Sequence, residues 1–294
     1  MTETIILPGY ISNDLVGYSS LTEIANRVVH FNNMDITIDM SYTTWFSANL
    51  CSLLGAILSD LSYKNNRITF KPSVNDKVRR IIEENGFGQH YFNMNTPLKS
   101  SAISFKKFNT TDVERIKIYI ENDLLNRWEL PVMSDLAKKN ILKTIFEVFE
   151  NARMHSGSST VFACGQCYPL KEKVDFTIVD FGVTIKENVF SFLNSNKLSL
   201  PHTAIEWAMM EENTTKNDTS GGLGFTLLQD FIRQNNGKLQ IYSDNEFWEL
   251  SNGKINKQIT AHTLKGTLVN LEINMNDTER YVMSDEVNCH TSIF

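Results

Sequence analysis

The chain of 294 residues carries 28 basic and 34 acidic side chains, a formal charge of −6, so it lacks the excess of Lys and Arg that a nucleic-acid-binding face needs. A hydrophobic content of 41% with 11% aromatics excludes a disordered chain, and the length accommodates two domains of ordinary size. The cysteines, Cys51, Cys164, Cys167 and Cys289, are too unevenly spread for a disulfide framework.

The opening "MTETIILPGY" has no basic segment followed by an apolar one, so no signal peptide is read there and the chain is expected to be cytoplasmic. "TIILPG" is a short strand. "SSLTEIANRVVHF" opens on serine caps and has helical spacing at Leu21, Ile24, Ala25 and Val28. "DITIDM" is a strand. "SANLCSLLGAILSDLS" is a strongly apolar helix, too short and too interrupted by Ser and Asn to span a bilayer. "NRITFKP" is a strand, and "VNDKVRRIIEENG" is a helix stopped by Gly86. This alternation predicts an α/β unit over residues 1–100.

The polar stretch 93–112 marks a boundary, although Ile103 and Phe105 could form an edge strand. Two helices follow, "DVERIKIYIENDLLNRW" and "SDLAKKNILKTIFEVFENARMH", then strands "STVFACGQCY" and "KVDFTIVDFG". Beyond a polar stretch holding the short helix "AIEWAMM" come "GGLGFTLLQDFIRQNNG" and the strands "KLQIYS" and "TLVNLEIN". Residues 276–294 are polar and unpatterned, and are expected to be a mobile tail.

Four pieces of the second half carry chemistry. Glu147 and Asn151 are four residues apart and share a helix face, which His155 extends by one turn. Asn151 offers a carbonyl oxygen to a hard cation, and Glu147 can take a proton from a water or hydroxyl. A solvated polar face explains the same spacing. Asp180 ends an apolar strand, where a carboxylate can accept from an exocyclic amine. Gly182, two residues on, lets a flat base approach the backbone, and an ordinary turn explains both residues as well. Gly221, Gly222 and Gly224 precede a helix, leaving N–H groups to point at an anion; neither a Walker nor a dinucleotide-binding spacing is present. Gly266 and Thr267 lead into the last strand, where the hydroxyl can bond a base or a water. Cys164 and Cys167, three apart on a strand, fall on opposite faces and make a poor half of a zinc site.

Order and spacing together resemble the ATP-binding domain shared by gyrases, ATP-dependent heat-shock chaperones, histidine kinases and mismatch-repair ATPases, the GHKL or Bergerat-fold group. "EVFENARMH" resembles its N box, Asp180-Phe181-Gly182 its D-x-G motif, "GGLGFTLLQDFIRQNNGKLQIYS" its glycine box, and "GTLVNLEI" its closing strand. The likeness covers roughly 112–274 and implies a two-layer α/β sandwich over 105–275 that binds ATP and Mg²⁺. It implies that Asn151 binds Mg²⁺, that Glu147 is the general base, and that Asp180 holds the adenine amine with Gly182 and Thr267 beside it. His155, Thr215, Lys216, Gly222, Leu223 and Gly224 join the nucleotide-contacting set, with 186–220 as a lid that closes over the phosphates. Glu147 and "N-A-x-x-H" are nearest to the anti-sigma-factor serine kinases. The first half, through "DITIDMSYTTWFSANLCSLLGAILSDL", resembles a STAS domain, but the phosphoacceptor position falls on Ala48, with Ser47 out of register. The resemblance implies an ATP-using regulatory protein with a protein partner or a second copy of itself. A regulatory ATPase, a protein Ser/Thr kinase and a non-catalytic ATP-dependent module remain open; membrane and nucleic acid are not indicated.

Overall fold

The computed structural model describes residues 2–197, 203–210, 223–283 and 286. The chain runs β1 (Thr2–Ile6), β2 (Tyr10–Ile11), α1 (Leu15–Val28), β3 (Asp35–Asp39), β4 (Trp45–Phe46), a 3₁₀ turn into α2 (Cys51–Tyr63), β5 (Arg67–Lys71), α3 (Asp76–Glu84) and α4 (Phe87–Phe92). Strands β1, β3 and β5 form a parallel sheet in that order, and β2 pairs with β4. Helix α1 starts earlier than its serines predict, because the Asp14 carboxylate caps it, accepting from Gly17 N at 3.0 Å. Ser47 is buried, and its N–H is bonded to Ile11 O.

The second half continues β6 (Ala102–Asn109), α5 (Val113–Tyr119) with a π-helical turn over Ile120–Leu125, α6 (Asp135–His155), β7 (Thr160–Tyr168) and β8 (Lys173–Asp180). Then come α7 (Ile185–Ser195), α8 (Ala204–Met209), α9 (Leu223–Gln234), β9 (Lys238–Ser251) and β10 (Lys254–Asn274). Its five strands form one antiparallel sheet, ordered β6-β7-β8-β10-β9. The overall class is therefore mixed α/β with several sheets.

Alternation along the strands gives this sheet two apolar faces. On one face Val161, Ala163, Phe176, Ile178, Ile241 and Val269 pack with Ile145, Phe149 and Ala152 of α6 and with Leu228 and Ile232 of α9. On the other, Phe162, Cys164, Val179, Tyr242 and Leu268 pack with Leu21 and Ile24 of α1 and Leu54 and Leu58 of α2. The cluster on the back joins residues from both sides of the boundary near residue 100. Helices α1 and α2 of the N-terminal half cover the second face of the five-stranded sheet.

Three elements differ from their prediction. The last two strands extend into a long hairpin, turned by Asn252 and Gly253 at φ 50° and 70°. Helix α7 occupies what reads as polar loop, fixed by a capping box between Thr184 and Glu187. The expected mobile tail is held at its start. Tyr281 is buried in the α6–α9 core, its N–H bonds Val132 O, and its carbonyl accepts from Ser134 N. An aromatic ring with both backbone groups paired docks where polar composition alone reads as tail. Among the described residues, no helix is long and apolar enough to cross a membrane.

Candidate functional site

The register of the large sheet aligns Val161, Asp180, Thr267 and Ser243 across β7, β8, β10 and β9 at one end. Opposed residues in antiparallel strands share a face. Asp180 follows Phe176 and Ile178 by steps of two, so its side chain and that of Thr267 lie on the face covered by α6 and α9. Asp180 is 6% exposed, and its Oδ1 has no hydrogen-bond partner among the described residues. Burial pushes its carboxyl up to about 7, and the neighbouring Ser156 hydroxyl offsets only part of that.

Three backbones meet behind this carboxylate. Ser156, the cap residue of α6, accepts from Val183 N at 2.6 Å through its carbonyl. A Cβ on Gly182 would sit 2.2 Å from that same oxygen, so the side of Gly182 where a side chain would stand is filled by Ser156. A Cβ on Gly266 would sit 2.2 Å from Asp180 O, and Gly266 has φ +93°. The Asp-Phe-Gly turn and the Gly-Thr bulge are therefore one contact. Ser243, 1% exposed, ties them to α7: its Oγ accepts from Ile185 N at 3.0 Å, donates to Gly266 O at 2.7 Å and lies 3.2 Å from Thr267 Oγ1.

Glu147 and Asn151 are half-buried on α6, beside the buried Val148 and Ala152. No side-chain hydrogen bond or ion pair ties either to any described residue. Glu150, by contrast, is taken up by Arg153 at 2.6 Å. His155 is the last residue of α6, and its side chain is not described. Leu223 and Gly224 begin α9, whereas Thr215, Lys216 and Gly222 lie outside the described residues. Within the span expected as a lid, α8 is fastened to the hairpin: Glu246 accepts from Ile205 N at 3.0 Å, and Glu206 pairs with Lys257 at 2.6 Å.

An open cleft of about 750 Å³ lies beside the same turn, lined in part by Gly157, Gly182, Thr184, Phe190 and Lys265; Asp180, Asn151 and Glu147 do not line it. Among the described residues, no three His, Cys, Asp or Glu side chains gather to hold a metal ion. Cys164 and Cys167 belong to opposite faces of the sheet, and burial pushes both thiols up.

Ser156, Thr184 and Ser243 were not singled out in the sequence. Thr184-x-x-Glu187 was readable as a capping box. In "KLQIYS", Ser243 stands in the inward register of Leu239 and Ile241, and a polar residue at an inward position is itself a signal. Comparison with known proteins gives no matching family model and no matching curated relative.

Proposed function

We propose that the chain is an ATP·Mg²⁺-binding regulatory protein of the GHKL group, whose N-terminal half is a STAS-like layer on the back of the ATP-binding sheet. The observation that carries this reading is the buried Asp180 oxygen without a partner among the described residues, set opposite Thr267 on the face covered by α6. A buried carboxylate oxygen left unpaired costs stability, and an amine donor from a ligand removes that cost. The Gly182–Ser156 and Gly266–Asp180 contacts support it too, because they pack the backbone of the Asp180–Gly182 turn at both of its ends.

In this reading Asp180 accepts from the amino group of the base, and Thr267 bonds the base edge beside it. Asn151, with no partner among the described residues, would hold the metal through its amide oxygen. Mg²⁺, when bound, supplies charge neutralisation for the phosphates. Glu147 stands one helical turn before Asn151 and would orient or deprotonate a water or a partner's hydroxyl. The buried Ser47 does not support a phosphorylation switch in the N-terminal layer.

The test is ATP binding and phosphate release for wild type, Asn151→Ala and Glu147→Ala. Wild type is expected to bind ATP·Mg²⁺, Asn151→Ala to lose about tenfold or more in affinity, and Glu147→Ala to bind but not turn over. Wild type binding no nucleotide would end the proposal. Label appearing on an added protein instead of as free phosphate would make the activity a kinase.

A further inference from the structure

The hydroxyl protons at the end of the sheet can be counted. Ser243 has one. Its Oγ stands 2.7 Å from Gly266 O, and a carbonyl only accepts, so the Ser243 proton is spent there. Ile185 N–H fills one lone pair of the same Oγ at 3.0 Å. The remaining contact, 3.2 Å to Thr267 Oγ1, then takes its proton from Thr267. Thr267 is left with lone pairs only for anything bound in front of it. The group opposite it in register, Asp180, also presents an unpaired oxygen.

We infer that Ser243 is a positioning residue that fixes the direction of the Thr267 hydroxyl, so that the site offers only acceptors and selects a base edge carrying an amine over one carrying a carbonyl. This rests on the nucleotide reading and deepens it. Acceptors facing a carbonyl oxygen leave both sides unpaired and desolvated, which rejects the wrong ligand far more strongly than a missing apolar contact does. Without Ser243, the Thr267 hydroxyl is free to turn its proton into the site and donate to a carbonyl. The selection also needs Asp180 ionised, because a protonated Asp180 is itself a donor; the carboxyl raised by burial makes this a condition of alkaline pH.

The experiment measures the affinities of ATP and inosine triphosphate, which carries a carbonyl oxygen in place of the amine, at pH 8.5 for the full chain. Wild type is expected to prefer ATP by about 100-fold or more. Ser243→Ala is expected to lose about tenfold of that ratio, the size of one hydrogen bond, mostly by binding inosine triphosphate better. Thr267→Val removes the hydroxyl outright, and adding Ser243→Ala to it should leave the ratio unchanged, because the two act through one group. Equal weakening of both nucleotides in Ser243→Ala, with the ratio kept, would make Ser243 merely structural and overturn the inference. If Ser243→Ala does not fold, a full wild-type ratio in Thr267→Val overturns it independently. Wild type that binds neither nucleotide refutes the nucleotide reading, and the inference falls with it. Wild type that binds both equally refutes the inference alone.

Discussion

The two faces of the five-stranded sheet both bury polar groups, and they treat them differently. On the back, Asn49 donates to Asn13 Oδ1 at 2.8 Å and lies 2.7 Å from Thr177 Oγ1, Thr177 donates to Asn270 at 2.7 Å, and Asn270 donates to Gln240 at 2.9 Å. Tyr18 closes the chain, 2.6 Å from Asn13 and 2.7 Å from Gln240. The atoms left over there, Asn13 Nδ2, Asn49 Oδ1 and Thr22 Oγ1, are neutral, and the two asparagines are each bonded through their other amide atom. On the front, Asp180 Oδ1 has no partner among the described residues and no cation is among the causes of its shift; Glu129 Oε2 is unpaired as well, but Glu129 meets Arg127 at 3.2 Å. A network that satisfies itself fastens one layer to another. A charged group that does not satisfy itself marks a place for something else.

Breaking the front by geometry has the largest expected effect. Gly266→Ala drives a Cβ into Asp180 O at a backbone angle that side chains disfavour, and should cost about 4 kcal/mol of stability, read in urea unfolding. It should abolish nucleotide binding at any concentration where the fold survives.

Next comes pH. Asp175, on the back, and Asp180, on the front, are both pushed up to about 7, in each case chiefly by burial. Their folded values lie above their unfolded one, so the folded chain holds these protons more tightly between about pH 4 and 7. Their contribution to stability is present below that range and is lost as pH rises through it, by up to about 4 kcal/mol for Asp180. Unfolding titrations should show it, and Asp180→Asn should remove the share of Asp180 while leaving that of Asp175. ATP affinity should run the other way, falling about tenfold per pH unit below 7, because the amine needs the ionised oxygen.

The smallest effect separates the faces. Asn49→Ala strips partners from buried Asn13 and Thr177, and should cost about 2 kcal/mol of stability. Its effect on nucleotide affinity should stay within about twofold, since it touches only the back.

These faces were unequally legible in the sequence. The strand ending at Asp180 and the helical face of Glu147 and Asn151 could be read because each follows one local period. The back could not. Gln240, Asn270 and Thr177 alternate with apolar neighbours and read as solvent positions, yet they are buried because they bond one another across strands and to Asn49, more than a hundred residues away in the chain. Nothing local signals such pairing. The partners of Ser243, on β10 and α7, are likewise distant in the chain, although its inward position is itself a local signal, and Asn252-Gly253 is a plain hairpin signal.

The most direct test of the central claim is calorimetric titration of ATP·Mg²⁺ into wild type and Asp180→Ala at pH 8, with unfolding curves for both. Wild type is expected to bind, and Asp180→Ala to lose about 100-fold in affinity while remaining folded and becoming more stable, since a buried charge has been removed. Asp180→Ala binding as tightly as wild type, or no binding by wild type, would contradict it.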